Sequence, residues 1–392
     1  MINIEEVRKD TPGCEHKIHF NNAGSSLPTQ FVTNAMQEYL AYEAVTGGYE
    51  AADFRSDDIF GFYKSAAQLL NTTSKNIAFT SSATSAFDIA LSSVPLQKGD
   101  VVIIANEDYI SNQLALLSLQ NRQEIKLVRA NSLDSGGIDL DSLESLIKEH
   151  RPKLVSITHV PTNTGLIQPV EEVGKLCRKH DVLYLLDACQ SVGQIPVDVR
   201  AIGCDFLSAT MRKFLRGPRG AGFLYVSDNV LQKNMTPLFV DMRGAEWNNA
   251  DSFEARPDAK RFEEWELPYA LVIGSKAAIE YALKIGIKNI SDRNNDLCRI
   301  IRKKLNSIEL RTLDIGANLS SIITVDMPGK QPGEVVDYLR ALRINTSSSH
   351  RSYAQIDFAK KKVEWALRIS PHYYNTEDEI DSLIQGLEDL SE

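Results

Sequence analysis

Cysteine is scarce in this 392-residue chain: there are five, and no two form a Cys-x-x-Cys pair. Cys14, Cys177, Cys189, Cys204 and Cys298 are scattered and odd in number, which argues against a disulfide framework and against a structural zinc site. No stretch approaches the ~18 consecutive apolar residues of a membrane span. The opening MINIEEVRKDTPG carries acids early and lacks an apolar run, so it does not read as a signal peptide. Long basic runs are absent too. With 43 Lys+Arg against 52 Asp+Glu the net charge is −9, which excludes nucleic acid and anionic membranes as general partners. Only 22 Gly and 14 Pro are present, so collagen-like and low-complexity readings fail. What remains is a reduced, soluble, cytoplasmic globular protein, long enough for two or three domains at roughly 150 residues each.

What is present is an alternation of helix and strand from residue 56 onward. Ile59, Phe60, Tyr63, Ala66, Ala67 and Leu70 recur at helical spacing, and the short apolar run Ile77–Thr80 follows. Further strands are expected at Val101–Ile104, Ile125–Val128, Leu154–Thr158, Val182–Leu186, Asp205–Ser208 and Gly222–Val226, with helices between them. That order implies an α/β fold with a mostly parallel sheet covered by helices on both faces. After about residue 250 helices dominate, ending in Ala366–Ser370 and a helix from Glu377, which reads as a smaller α+β unit. The expected division is a large domain over residues 15–250 and a small one over 251–392, with 1–14 packed on it.

Ligands of open parallel sheets bind beyond the carboxyl ends of the strands. Three strand ends here carry reactive residue types. In LYLLDACQSVGQ an apolar strand delivers Asp187, with Gln190 three positions on; the acid could cap a helix, bind a metal or pair with a protonated heterocycle. No HxH, HxxE or second aspartate supports the metal. In DFLSATMRKFLRGPRGAGFLYV a polar turn carries Thr210, Arg212 and Lys213, and neighbouring cations with partial burial favour the neutral, nucleophilic amine at Lys213. Its glycines precede a strand rather than open a helix, so they are not a dinucleotide fingerprint. In IAFTSSATSAFDIAL a strand, a hydroxylated turn and a helix offer backbone N–H groups and Thr84 to a phosphate, or simply an N-cap. Together the three ends supply the parts a pyridoxal phosphate enzyme needs.

With FNNAGSSLPT (Phe20–Thr29) and ISPHYYNTEDEID (Ile369–Asp381), these motifs make the chain resemble the class V aminotransferase family of fold-type I pyridoxal phosphate enzymes, which includes cysteine desulfurases and C–S lyases. The resemblance spans nearly the whole chain. It implies that Lys213 forms the Schiff base and moves the substrate α-proton, that Asp187 pairs with the pyridine nitrogen, and that Gln190 bonds the phenolic oxygen. It implies phosphate contacts from the Ala83 backbone, Thr84, Thr210 and Arg212, a stacking ring at Tyr109, and a cofactor contact from Thr162 or Asn163. Arg368 would grip the substrate carboxylate, and Asn22 with Ala23 would line the substrate side. His159 and His372 read as structural. A homodimer with its site at the subunit interface and a small amino-acid substrate are implied as well; no metal is.

Two departures shape the functional expectation. Ile344–Gln355, where desulfurases carry a sulfur-accepting cysteine, has none, and no cysteine follows Cys298. Glu264, Trp265 and Glu266 stand where relatives have a small Gly-Thr pair. The expectation is therefore a β-eliminating C–S lyase acting on a cysteine derivative or sulfoxide and giving pyruvate and ammonia. An aminotransferase and an epimerase stand behind it, and the missing loop cysteine counts against a persulfide-forming desulfurase.

Overall fold

The computed structural model describes residues 2–390. Its centre is a seven-stranded sheet in the spatial order Ile77–Thr80, Gly222–Val226, Phe206–Thr210, Leu183–Asp187, Leu154–Thr158, Val101–Ile104 and Lys126–Arg129. Gly222–Val226 runs antiparallel to both neighbours, and the remaining pairs are parallel. The six strands from Ile77–Thr80 to Val101–Ile104 are buried throughout apart from Leu183. That is why they read as continuous apolar runs rather than alternating ones. The strand expected at Asp205–Ser208 starts at Phe206 and extends to Thr210, so Thr210 closes a strand instead of sitting in the turn. Thr80, Thr158, Asp187 and Thr210 all end on one edge of the sheet, where the chemistry gathers.

The C-terminal unit is a three-stranded sheet, Ile323–Val325, Trp365–Ile369 and Ser347–His350, backed by Ile287–Ser307, Pro332–Ala341 and Glu377–Asp389. Helix Glu377–Asp389 begins with a full capping box, Thr376 and Glu379 each bonding the other's backbone. Its apolar side, Ile380, Leu383, Ile384 and Leu387, packs into the core of this unit. The N-terminal segment is bound to it as well: Ile18–His19 pairs with Ile344–Asn345, and Arg8 bridges to Glu379 at 2.8 Å. Residue 250, the expected division, falls at the turn of an exposed hairpin, Ala245–Asn249 with Ser252–Ala255. Helix Tyr269–Ile285 beyond it packs on Gln30–Thr46 and Ser56–Leu70, against the large sheet's own helices. Among the described residues no helix is long and apolar enough to cross a membrane.

Candidate active site

Asp187 is carried to the sheet edge by Leu183–Asp187 and is buried there. Burial pushes its carboxyl pKa up; the Cys189 N–H, the Asn112 amide and the charge of Lys213 oppose that. Cys189 N donates to Oδ1 and Asn112 Nδ2 donates to Oδ2, both at 2.8 Å. A buried acid held this way is stabilised by a cation brought against it.

Lys213 enters from the next strand. Its side chain is 6% exposed, and Nζ donates to Cys189 Sγ at 3.2 Å while standing 5.8 Å from the centre of the Tyr109 ring. The lysine, the acid and the aromatic ring thus converge on one place. The turn after Lys213 is fixed from below. Arg216, in left-handed backbone, donates from its own N–H to Lys213 O, and its buried guanidinium bonds Tyr373 Oη, Thr11 Oγ1 and Leu27 O. His372 reaches Phe214 O at 2.9 Å. The HYYN stretch of the far C-terminus is therefore what shapes the lysine turn.

Helix Ala83–Ser93 points its N-terminus at the same edge, capped by Ser82, which accepts from Ser85 N. Gly222 makes the close approach possible: a β-carbon there would meet Ala209 O at 2.6 Å and Ala83 N at 3.0 Å. Thr210 Oγ1 turns to Ala221 O at 3.3 Å. Arg212 follows two residues on; its guanidinium bonds Gly24 O, and its charge acts on Arg368 and Cys189.

Gln190 and Thr162 link the cofactor and substrate halves. Gln190 Nε2 donates to Thr162 Oγ1 at 2.9 Å and to Ala23 O at 3.1 Å, and its Oε1 is buried without a partner. Arg368 Nη1 donates to the same Thr162 hydroxyl at 2.7 Å. Of the two loop candidates Thr162 is the one in this network; Asn163 bonds Tyr353 O instead. On the substrate side it is Asn21 that meets Arg368, at 3.2 Å. The anticipated Asn22 is fully buried and spends its amide on Ser370 O, His19 O and the Tyr374 hydroxyl. Arg368 keeps Nε unpartnered, and burial, with the Arg212 charge second, pulls its pKa down to about 10. Among the described residues no carboxylate pairs with it, so it is a candidate site for an anion.

Over residues 18–383 the chain matches the model of the family described as aminotransferase class-V. The chain belongs to this class-V aminotransferase family. A probable cysteine desulfurase of Methanothermobacter thermautotrophicus is 31% identical over 400 residues, covering 100% of this chain and 99% of the relative. The apo structure of the cysteine desulfurase from Thermococcus onnurineus NA1 superposes with a TM-score of 0.92 at 25% identity, over 100% and 98% of the two chains. A C-DES structure with glycine covalently linked to its PLP cofactor has the same fold, with a TM-score of 0.87 at 21% identity, over 97% and 99%.

Class-V membership and the fold-type I architecture agree with the resemblance, and pyridoxal phosphate is the family's cofactor. The residues present fit that group. A buried acid awaits a cation, a buried amine lies beside an aromatic ring, the Gln190 amide oxygen is buried without a partner, and a glycine leaves a helix N-terminus open. The functional expectation needs correction. Relatives matched end to end are named cysteine desulfurases, which overturns the preference for a pyruvate-forming C–S lyase and the reading against a persulfide-forming desulfurase. The error is physical: a missing thiol in one segment limits where sulfur is received, not whether it is removed. Ile344–Asn345 and Ser347–His350 are indeed thiol-free, but they form short paired strands and do not decide the reaction.

Proposed function

We propose that the protein is a pyridoxal phosphate-dependent cysteine desulfurase that takes sulfur from L-cysteine and leaves alanine. The observation that carries the reading is an anion-seeking Arg368 joined through Thr162 to the Lys213 and Asp187 site, in a chain that runs end to end with named cysteine desulfurases. The carbon–sulfur bond of cysteine breaks, a sulfur–sulfur bond forms to an acceptor thiol, and the acceptor's proton ends on the carbon. The sum is alanine plus a persulfide, with no outside oxidant or reductant.

When bound, the cofactor supplies an aldehyde that captures the substrate amine and a pyridinium ring that takes up an electron pair. The chain does the rest. Arg368 would exchange its bonds to Thr162 and Asn21 for the substrate carboxylate and so orient the amino acid at the site. Lys213 holds the cofactor and moves the proton between carbons. Asp187 would hold a proton on the ring nitrogen, Tyr109 would offer a ring to stack on and Gln190 a partner for the ring hydroxyl. Ala83, Thr84, Thr210 and Arg212 would hold the phosphate.

A homodimer fits the exposed apolar residues Leu238, Phe239, Met242, Trp247, Phe253 and Trp265, which cluster in one stretch of the sequence around the hairpin. A reducing, cytoplasmic setting fits five free cysteines. The deciding experiment incubates the holoenzyme with L-cysteine and dithiothreitol as acceptor. Alanine and sulfide are expected in equal amounts; pyruvate and ammonia in place of alanine would overturn the reading.

A further inference from the structure

Behind Asp187 lies a second buried acid that nothing above uses. Asp108 ends the loop after Val101–Ile104, one residue before Tyr109, and it accepts from four sides. Oδ1 takes bonds from the Thr158 hydroxyl, from Tyr109 N at 2.7 Å and from Asn112 Nδ2 at 3.1 Å. Oδ2 takes Gln113 Nε2 at 2.6 Å, and Gln113 Oε1 in turn accepts from Arg129 Nη2 at 2.6 Å. Asn112 is the connection that matters, because the same Nδ2 that meets Asp108 donates to Asp187 Oδ2 at 2.8 Å. The path runs from a half-buried cation on the outermost strand, through Gln113, Asp108 and Asn112, to the acid of the site.

We propose that Asp108 is a positioning residue for Asp187, acting through Asn112. An asparagine amide has two unlike ends, and only its nitrogen end can support an ionised carboxylate. With acceptor oxygens on both sides, at Asp108 and Asp187, the amide has one favourable orientation. Asp108 has to be a carboxylate for this to hold. An amide at 108 cannot present acceptors to both Gln113 and Asn112, so one of them would face an N–H. If Asn112 turned to match it, its oxygen would lie against Asp187 and repel the negative charge that the ring nitrogen's proton requires. Burial raises the carboxyl pKa of both acids, which is why the orienting donors carry weight here.

The proposal rests on the cofactor reading above, and a double-mutant cycle tests it separately. The dissociation constant of pyridoxal phosphate is measured for wild type, Asp108→Asn, Asn112→Leu and the double variant, and the ring proton is followed by NMR with cofactor labelled with 15N at the ring nitrogen. Each single change should weaken binding about tenfold and move the ring nitrogen signal toward its unprotonated position, and the double variant should be no worse than Asn112→Leu. Multiplying effects, near a hundredfold in the double variant, or an unshifted nitrogen signal in Asp108→Asn, overturn the inference. Should Asp108→Asn not fold, Gln113→Leu cuts the path at its half-buried outer end. It should weaken binding a few-fold in wild type and not at all on top of Asn112→Leu; an equal effect in both backgrounds overturns the proposal. Wild type that binds no cofactor sinks the cofactor reading instead.

Discussion

Two arginines near the site, the buried Arg216 and the half-buried Arg368, could hardly be treated more differently. Arg216 bonds through all three of its nitrogens, and the rings of Tyr373 and Tyr374 stand 5.3 and 4.6 Å from its guanidinium carbon. Burial pulls its pKa down, but the surrounding tyrosines outweigh that and leave it raised. Arg368 is left with an orphan nitrogen, a second arginine nearby and a pKa lowered to about 10. The first cation is complete as folded and joins three distant parts of the chain. The second is held in an unfavourable state that an anion would relieve. Saturation marks the residue that builds; incompleteness marks the residue that binds.

The sharpest way to break this contrast is to remove each guanidinium in turn. Arg368→Ala should reduce kcat/KM for L-cysteine by several hundredfold, about 3–4 kcal/mol for losing a buried charge-assisted carboxylate contact. The loss should appear mainly in KM, and the melting temperature of the unliganded protein should stay level or rise, since an uncompensated half-buried charge is gone. A fall in stability with unchanged KM would reverse its assignment. Arg216→Met should do the opposite, costing about 3 kcal/mol in urea unfolding through unsatisfied hydroxyls and carbonyls, with KM of the folded fraction nearly unchanged. A variant as stable as wild type would show that the tyrosines hold together without it.

The same contrast explains what could be read from the sequence. Asp187, Gln190 and Lys213 were legible because short apolar strands deliver them to one sheet edge, and strand periodicity is a local signal. Arg368 was legible only through the motif around it. Asn22 rather than Asn21 was singled out, because which of two adjacent amides meets Arg368 depends on a pairing with Ser370 across the molecule. The bond of Arg212 to Gly24 O was hidden for a similar reason, since it depends on where the N-terminal segment lies. Asp108 and Asn112 were missed although a signal existed. They stand four residues apart at a helix start, the spacing that puts two polar side chains on one face.

Two buried histidines sharpen the comparison further. His372 belongs to the saturated side: Nε2 meets Phe214 O and Nδ1 meets the Asn294 amide. His159 belongs to the site side, its backbone N–H bonded to Asp187 O and its Nδ1 buried without a partner. Burial lowers the pKa of both, that of His159 to about 4. A base with a depressed folded pKa stabilises fully above its unfolded value near 6.5, and that stability is lost as pH falls toward the folded value. Between pH 7 and 5 His159 should therefore account for about 2 kcal/mol of the stability lost. His159→Gln should leave the neutral-pH urea midpoint almost unmoved and reduce the acid loss by that amount, whereas His372→Gln should already cost about 1–2 kcal/mol at pH 7 by breaking satisfied bonds. Equal costs for the two at neutral pH would mean that an unpartnered ring nitrogen does not distinguish the site side of this protein from the side that holds it together.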